Sequence, residues 1–387
     1  MNKEKIMENN VLGKNYDIIK FKDCIIQLNT GLNPRQNFSL GVGNLKYITA
    51  KNLNKSGFID FSKCDSIDKL AKEIIHKRSD IQIGDILFAS RAPVGHCHLI
   101  QEEPNFYDIG ESIFSIRVNP KIILPEYMCL YLTSDYFIKS ASNFTTGSVI
   151  QEIRIANLME MNIIIPPKDI QLKISKAILS IDSKIFNNNE INNNLEELAF
   201  TIFFHEFGNK NSNGNIEQIL VENSKSKIKV GDTKDISGEY PFFTSGESIL
   251  EWNEYFVNGR TLFLNTGGNA DVKFYVGKAA YSTDTWAITT NNNMTDYLYL
   301  YLKSIKSNLD RKFFNGSGLK HLQKPLFKQE KIYIPTNEEL NNFNNKVASF
   351  FDTITANKLE NKKLNSLKDF LLPTLMNGQI NVDDIEI

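Results

Sequence analysis

The chain is 387 residues long, 41% hydrophobic and 23% charged, with 44 Lys and Arg against 45 Asp and Glu for a formal net charge of −1. That length suits two or three soluble globular domains, and the neutral balance counts against a stand-alone, strongly basic nucleic-acid binder. It leaves room for a subunit whose partners help neutralise phosphate.

No apolar run reaches the length of a membrane span. The opening MNKEKIMENN has no apolar stretch of the kind a secretory leader needs, and residues 1–15 read as a loose tail. Cys24, Cys64, Cys97 and Cys129 form no CxxC pair, so free thiols in a reducing compartment, the cytoplasm, are expected. Residues 16–168 carry short Phe-, Tyr-, Ile- and Gly-rich runs broken by turns: LKYITAKNL from Leu45, GDILFAS from Gly84, YMCLYLTS from Tyr127. They predict a mostly β unit with one or two short helices, such as 127–140. Next comes MNIIIPPKD, a strand over 163–165 and a double proline.

A long helix over 169–207 follows, with Asp169 placed to cap it. Its apolar positions Ile174, Ile178, Ile181, Ile185, Leu195, Ala199 and Ile202, with Asn188 and Asn192 between them, follow the 4-3-4-3 spacing of a heptad seam. FGNKNSNGNIEQ (207–218) reads as a flexible linker. A second β-rich unit, 208–335, repeats the theme with YPFFTSGES, GRTLFLN and YLYLYLKS.

The repeat becomes exact in spacing at its end. GSVIQEIRIANLMEMNIIIP (147–166) lies over GSGLKHLQKPLFKQEKIYIP (316–335) without a gap, at an offset of 316 − 147 = 169 residues. The same offset carries the first seam onto Phe343, Val347, Phe350, Ile354, Asn357, Asn361, Leu364, Lys368 and Leu371. Thr336 and Glu339 form a T-x-x-E capping box. The second helix is expected to run to about Leu372, where Pro373 stops or kinks it, so 336–387 is helix plus tail. The fold class is α+β: a tandem repeat of two β-rich units, each followed by a long helix. The recurring seam asparagines, costly but register-fixing, predict that the two helices pair antiparallel. The Asn-rich runs at 186–197 and 289–296 are read as genome bias inside periodic patterns.

Chemistry-bearing motifs are missing. There is no phosphate-binding P-loop, no G-x-G-x-x-G after a strand and no nucleophile elbow. HCH at 96–98 offers two metal-ligating imidazoles, but no second cluster completes a site, so no metal is expected.

In order and in duplicate, these pieces resemble the specificity subunits of Type I restriction-modification systems over about 16–382. The resemblance rests on TTGSVIQEIRIANLMEMNIIIPP running into QLKISKAILSIDSKIFNNNEINNNLEELAFTIFFHEF. GDILFASRAPVGHCHLI and the closing KDFLLPTLMNGQINV add to it. The resemblance implies two target-recognition domains, each reading half of a split site in double-stranded DNA. It implies helical spacers that pair antiparallel and dock two methyltransferase subunits, which bind S-adenosylmethionine and methylate adenine while this chain is non-catalytic. A nuclease-translocase subunit can join. One departure is GRTLFLNTGGNADVKFYVG, which stands in place of the family's GDIL strand and its following arginine and leaves the equivalent of that arginine open.

Base readout calls for forked or amide donors. The candidates are Arg35, Lys51, Asn52 and Arg91, with Thr145, Thr146, Ser148 and Gln151 around the Gly147 turn. In the second unit they are Ser245, Thr266, Asn269, Ser317, Lys320 and His321. Each competes with the reading of a plain solvated loop residue. The aromatics are read mainly as core. Partner docking is expected on the helix faces away from the seam and on LPTLMNGQI (372–380). Two rival readings stand beside this one. A fused methyltransferase or nuclease would methylate or cut alone. A coiled-coil scaffold or regulatory protein would leave no DNA footprint.

Overall fold

The computed structural model describes residues 16–35, 37–54, 57–142, 152–234, 236–316 and 320–376. They fall into two compact units, one formed by residues up to Lys184 together with those from Lys363 on, the other by Ile185–Lys362.

In the first unit β1 (Asp17–Lys20), α1 (Phe21–Cys24), β2 (Ile25–Thr30), β3 (Leu45–Ile48) and β4 (Asp65–Ile67) lead into α2 (Lys69–Ser79). Then come β5 (Ile86–Ala89), β6 (Cys97–Leu99), β7 (Tyr107–Ile109), β8 (Ile113–Val118), α3 (Pro125–Thr133), α4 (Asp135–Ser142), α5 (Ile155–Met159) and β9 (Asn162–Ile165). An antiparallel sheet runs β2-β8-β5-β6, and a second runs β4-β3-β7 with β3 parallel to β7. GDILFAS becomes β5, enclosed between β8 and β6 and buried at every position. That explains its unbroken apolar run, since a strand covered on both faces has no reason to alternate.

The expected helix over 127–140 is two helices. Ser134 ends the first and its Oγ accepts from the Phe137 amide at 3.2 Å, capping the second. Helix α2 lay outside the β-rich expectation. Asp68 caps it by accepting from the Ala71 amide at 2.8 Å, and Ala71 and Ile75 pack on Tyr47 and Ile67.

The second unit contains β10 (Gly214–Asn215), β11 (Leu220–Glu222), β12 (Tyr240–Phe243), β13 (Ile249–Trp252), β14 (Val257–Asn265), β15 (Val272–Tyr281) and β16 (Thr285–Thr290). After these come α7 (Thr295–Ser304), α8 (Lys306–Phe313), β17 (Phe314–Asn315), β18 (His321–Leu322), α9 (Lys324–Lys328) and β19 (Lys331–Ile332). Its main sheet runs β11-β16-β14-β15-β12-β13. The first four strands repeat the order β2-β8-β5-β6, and β12 lies parallel to β15 and antiparallel to β13 as β3 does to β7 and β4. The units share one strand frame. In the second, a single ten-residue β15 serves where the first uses β6 and β7 separately.

Each unit closes the same way. Its opening strand pairs antiparallel with the strand that leads into the long helix, β1 with β9 and β10 with β19. This corrects the expected flexible linker at 207–218. Asn213 donates to the Ile334 carbonyl at 3.1 Å and accepts from the Ile334 amide at 2.6 Å, and Ile216 is fully buried. A polar, Gly- and Asn-rich stretch can look like linker while its side chains satisfy an edge strand.

The long helices are α6 (Lys168–Phe207) and α10 (Asn337–Met376), 40 residues each. They pair antiparallel. In the second unit Asn188 Nδ2 donates to Asn361 Oδ1 at 2.9 Å and Asn357 Nδ2 to Asn192 Oδ1 at 2.9 Å. In the first, Lys368 Nζ lies 2.5 Å from Asp182 Oδ1. Ile174, Ile178, Ile181, Ile185, Asn188, Asn192, Phe343, Val347, Ile354 and Asn361 are buried, while Phe350 and Asn357 are half-buried. Phe203, Phe207 and Phe343 meet Tyr297 of α7 in the core of the second unit.

The capping box forms. The Thr336 amide donates to Glu339 Oε2 at 2.9 Å and the Glu339 amide to Thr336 Oγ1 at 3.3 Å. That bonding pulls the Glu339 carboxyl down to about 2, its Thr336 backbone bond first. Two boundaries differ from expectation. Helix α6 starts at Lys168, so Asp169 lies inside the first turn and favours its positive end rather than capping it. Buried Gln171 supplies the fixing bonds, donating to the Pro166 carbonyl at 2.9 Å and accepting from the Leu124 amide at 2.8 Å. Helix α10 runs through Pro373 to Met376. Buried Leu371, Leu372, Leu375 and Met376 hold this last turn, against a proline penalty of about 3 kcal/mol.

The Asp182–Lys368 pair is 12% and 16% exposed, and burial raises the Asp182 carboxyl despite the ammonium. Adding the repeat offset places Phe351 at the Asp182 position, and subtracting it places Ala199 at that of Lys368. Both belong to the apolar core of the second unit. Asp182→Ala alone should cost about 3–5 kcal/mol by stranding a cation, whereas Asp182→Phe with Lys368→Ala should recover most of it; urea unfolding of the three proteins measures this. Asp296, buried against Arg260, has its carboxyl pushed up to about 6 by desolvation. The folded state therefore binds the extra proton between the ordinary carboxylate range and pH 6. Stability from this group should be full below about pH 4 and fall by up to about 3 kcal/mol as pH passes 6; calorimetric melting across pH 4–8 should show a loss of stability with rising pH that is smaller by about this amount in Asp296→Asn than in wild type.

Candidate nucleic-acid interface

The turn after β5 is tied down from several sides. Ser90 receives the Ile153 amide at 2.8 Å on its carbonyl and donates its own amide to Ser112 at 3.0 Å, and Arg91 bridges to Glu152 in antiparallel register. Gly95 has φ +89°, and a Cβ there would run into the Ile138 side chain, so this turn needs glycine.

The Arg91 fork is thereby aimed. Nη1 donates to Glu111 Oε1 at 2.9 Å and Nε to Glu152 Oε1 at 3.4 Å. Glu111 also accepts from Asn33 Nδ2 at 2.7 Å. That amide, then Arg91, then the charge of Arg35 hold its carboxyl below the usual range. Arg35 and Arg91 thus share one cluster around Glu111. Arg91 is 45% exposed, and a guanidinium has five donors, so it keeps a pre-oriented edge for a planar acceptor pair such as guanine O6 and N7.

Lys51 is exposed on the short 3-10 turn Ala50–Asn52. Asn52 differs. It is 4% exposed, and its Oδ1 accepts from the Thr49 amide at 2.8 Å and the Thr49 hydroxyl at 2.9 Å. It shapes the turn that presents Lys51 and offers no amide to a base. Thr145, Thr146, Ser148, Gln151 and Ser317 lie outside the described residues.

In the second unit the candidates gather on one rim. Ser245 Oγ and Thr266 Oγ1 both donate to the Asp284 carbonyl, at 2.5 and 2.9 Å. The Gly268 amide donates to the Lys320 carbonyl and the Leu322 amide to the Thr266 carbonyl, each at 3.0 Å, laying the strand of His321 along the loop that ends at exposed Asn269. Lys320 pairs with Asp310. His321 bridges to Gly267 as Glu152 bridges to Arg91, and Leu322 bonds Thr266 as Ile153 bonds Ser90. Gly267 therefore occupies the structural position of Arg91, and the second rim has no arginine there. Its one β14 guanidinium, Arg260, is committed to Asp296, Asp352 and the Ala348 carbonyl.

The HCH imidazoles serve the fold. His96 Nδ1 meets the Leu53 carbonyl and His98 Nδ1 the Gly57 carbonyl, both at 2.7 Å, and burial lowers His98. Among the described residues no three His, Cys, Asp or Glu side chains are placed to hold a metal, and no helix is long and apolar enough to cross a membrane. The basic face of α2 went unread in the sequence. Its signal was Asp68 as cap before apolar residues at Leu70, Ala71, Ile74 and Ile75.

Residues 14–197 and 212–369 each match the family model described as the Type I restriction modification DNA specificity domain. The chain is 23% identical to the Type I restriction enzyme HindI specificity subunit of Haemophilus influenzae, over 84% of this chain and 92% of that one. It is 21% identical to the MjaIX specificity subunit of Methanocaldococcus jannaschii, over 96% and 95%. The crystal structure of a Type I system S subunit from M. genitalium superposes with a TM-score of 0.64 at 15% identity, covering 95% of this chain and 97% of the other. Two matched segments, each a β-rich unit with its long helix, establish that this chain belongs to the Type I restriction-modification DNA specificity family, as a non-catalytic specificity subunit with two target-recognition domains.

Proposed function

We propose that each unit reads one half of a bipartite site in double-stranded DNA, while α6 and α10 set the half-site separation and dock two methyltransferase subunits. In this reading 16–168 and 208–335 are the recognition domains, and 169–207 and 336–387 the spacers. A nuclease-translocase subunit joins the same assembly where one is encoded. S-adenosylmethionine belongs to the methyltransferase subunits and not to this chain. The assembly works where host DNA is, in the cytoplasm.

The observation that carries the reading is one strand frame built twice with different rims. Arg91, braced by carboxylates, stands where the second rim has Gly267. Two readers on one frame suit two different half-sites, and equivalent helices suit two copies of one partner. Leu198 of α6 and Leu367 of α10, one repeat offset apart, are both exposed, as matched docking positions would be.

Co-expression with a cognate methyltransferase, followed by single-molecule sequencing of host DNA, should show methyladenine in two short blocks around a non-specific gap. Exchange of residues 16–168 for those of a relative should change one block alone. Formation of the complex without methylation would point instead to a regulatory subunit, and failure to form it to a scaffold. Arg91→Ala should relax one position of one block, with discrimination falling about 5- to 150-fold, the worth of one forked base contact; competition binding against single-substituted duplexes reads this out.

A further inference from the structure

Helix α2 has no counterpart in the second unit. There β13 ends at Trp252 and β14 begins at Val257, whereas the first unit inserts α2 between β4 and β5. On α2, Lys69 and Lys72 lie one turn apart near the start, and Lys77 and Arg78 lie in the last turn. They line an open groove of about 900 Å³ together with Asn44, Asn105 and His76.

None of the four cations forms a salt bridge among the described residues. Arg78 donates only to the Thr30 hydroxyl, at 3.1 Å. The acids in the groove are Glu73 and Asp80, and Asp80 is already held by Gln27 and Arg117. The helix beneath is firmly seated. Asp68 caps one end, and buried Ser79 at the other donates to Asp108 at 2.6 Å. From Lys69 to Lys77 the stripe covers about 12 Å of helix, the axial rise of three to four phosphates along one strand.

We infer that the α2 groove is a phosphodiester-backbone clamp peculiar to the first recognition domain, gripping the duplex beside its half-site without reading bases. This rests on the DNA-recognition reading above. Lysines on a flexible stem neutralise phosphate as point charges and carry no sequence information, so the clamp adds affinity and salt dependence to one half of the site.

The test uses the chain assembled with its methyltransferase and a fluorescent duplex carrying the motif found by sequencing. Binding is titrated between 50 and 200 mM KCl for wild type, Lys69→Gln/Lys72→Gln/Lys77→Gln and the matching triple Arg variant. The Gln variant should lose about 2.7 from the magnitude of the log K against log salt slope, roughly 40-fold less salt sensitivity over that range. The Arg variant should keep the wild-type slope, and all three should methylate the same motif. An unchanged slope in the Gln variant would overturn the clamp, and so would a changed first block, which would make α2 a base reader. If wild type itself neither binds nor methylates a specific site, the recognition reading fails and the clamp with it; a working wild type confines any failure to α2.

Discussion

The register of the helix pair is set by the amide ladder between α6 and α10. Asn188 donates to Asn361 and to Glu360, Asn361 donates to Asn189, and Asn357 donates to Asn192, at 2.7–2.9 Å. The contact Asn188–Asn361 maps under the repeat offset onto Asn357–Asn192, so each pair is the image of the other about a local two-fold axis. A buried amide is tolerable only when bonded. A slip of one helix along the other would strand these groups in the seam, whereas an all-apolar seam would forgive it. The helices therefore give up some stability to fix one register.

Around that register the two halves are held by different means. The second unit gathers aromatic rings of both helices onto Tyr297, while the first carries at one seam position a half-buried ion pair. Such a pair contributes little net energy, while removing one partner alone is costly. Above the helices a common strand frame supports unlike rims. Arg91 faces Glu111 and Glu152 on one, and the other is a glycine-turned loop gripped by Ser245 and Thr266 through the Asp284 carbonyl.

Much of this frame was legible in the sequence, because heptad spacing and a gapless offset are long-range patterns that tertiary packing reinforces. They located the end of α6 at Phe207 and the box at Thr336. What escaped depended on contacts that no local pattern encodes. Pro373 sits within a helix because buried leucines outweigh its missing donor. Residues 213–216 look like linker yet complete an edge strand. Asn52 and Arg91 are equally plausible readers by residue type, but one faces inward to its own turn and the other outward. Helix α2, only 11 residues long, was drowned by the β-rich runs on either side.

The amide ladder also gives the molecule a chemical clock. Asparagine is among the thermally labile side chains, and its deamidation replaces a neutral donor with a carboxylate. At Asn188 that change would set a new anion against Glu360 Oε2 and the Asn361 carbonyl oxygen, two acceptors it now donates to, turning two bonds into repulsions within a desolvated seam. The regular helical backbone slows the reaction by holding the neighbouring amide nitrogen away from the side chain. The register-setting element is thus protected from ageing only while the helices stay paired, so loosening of the pair and chemical damage to its asparagines would accelerate one another.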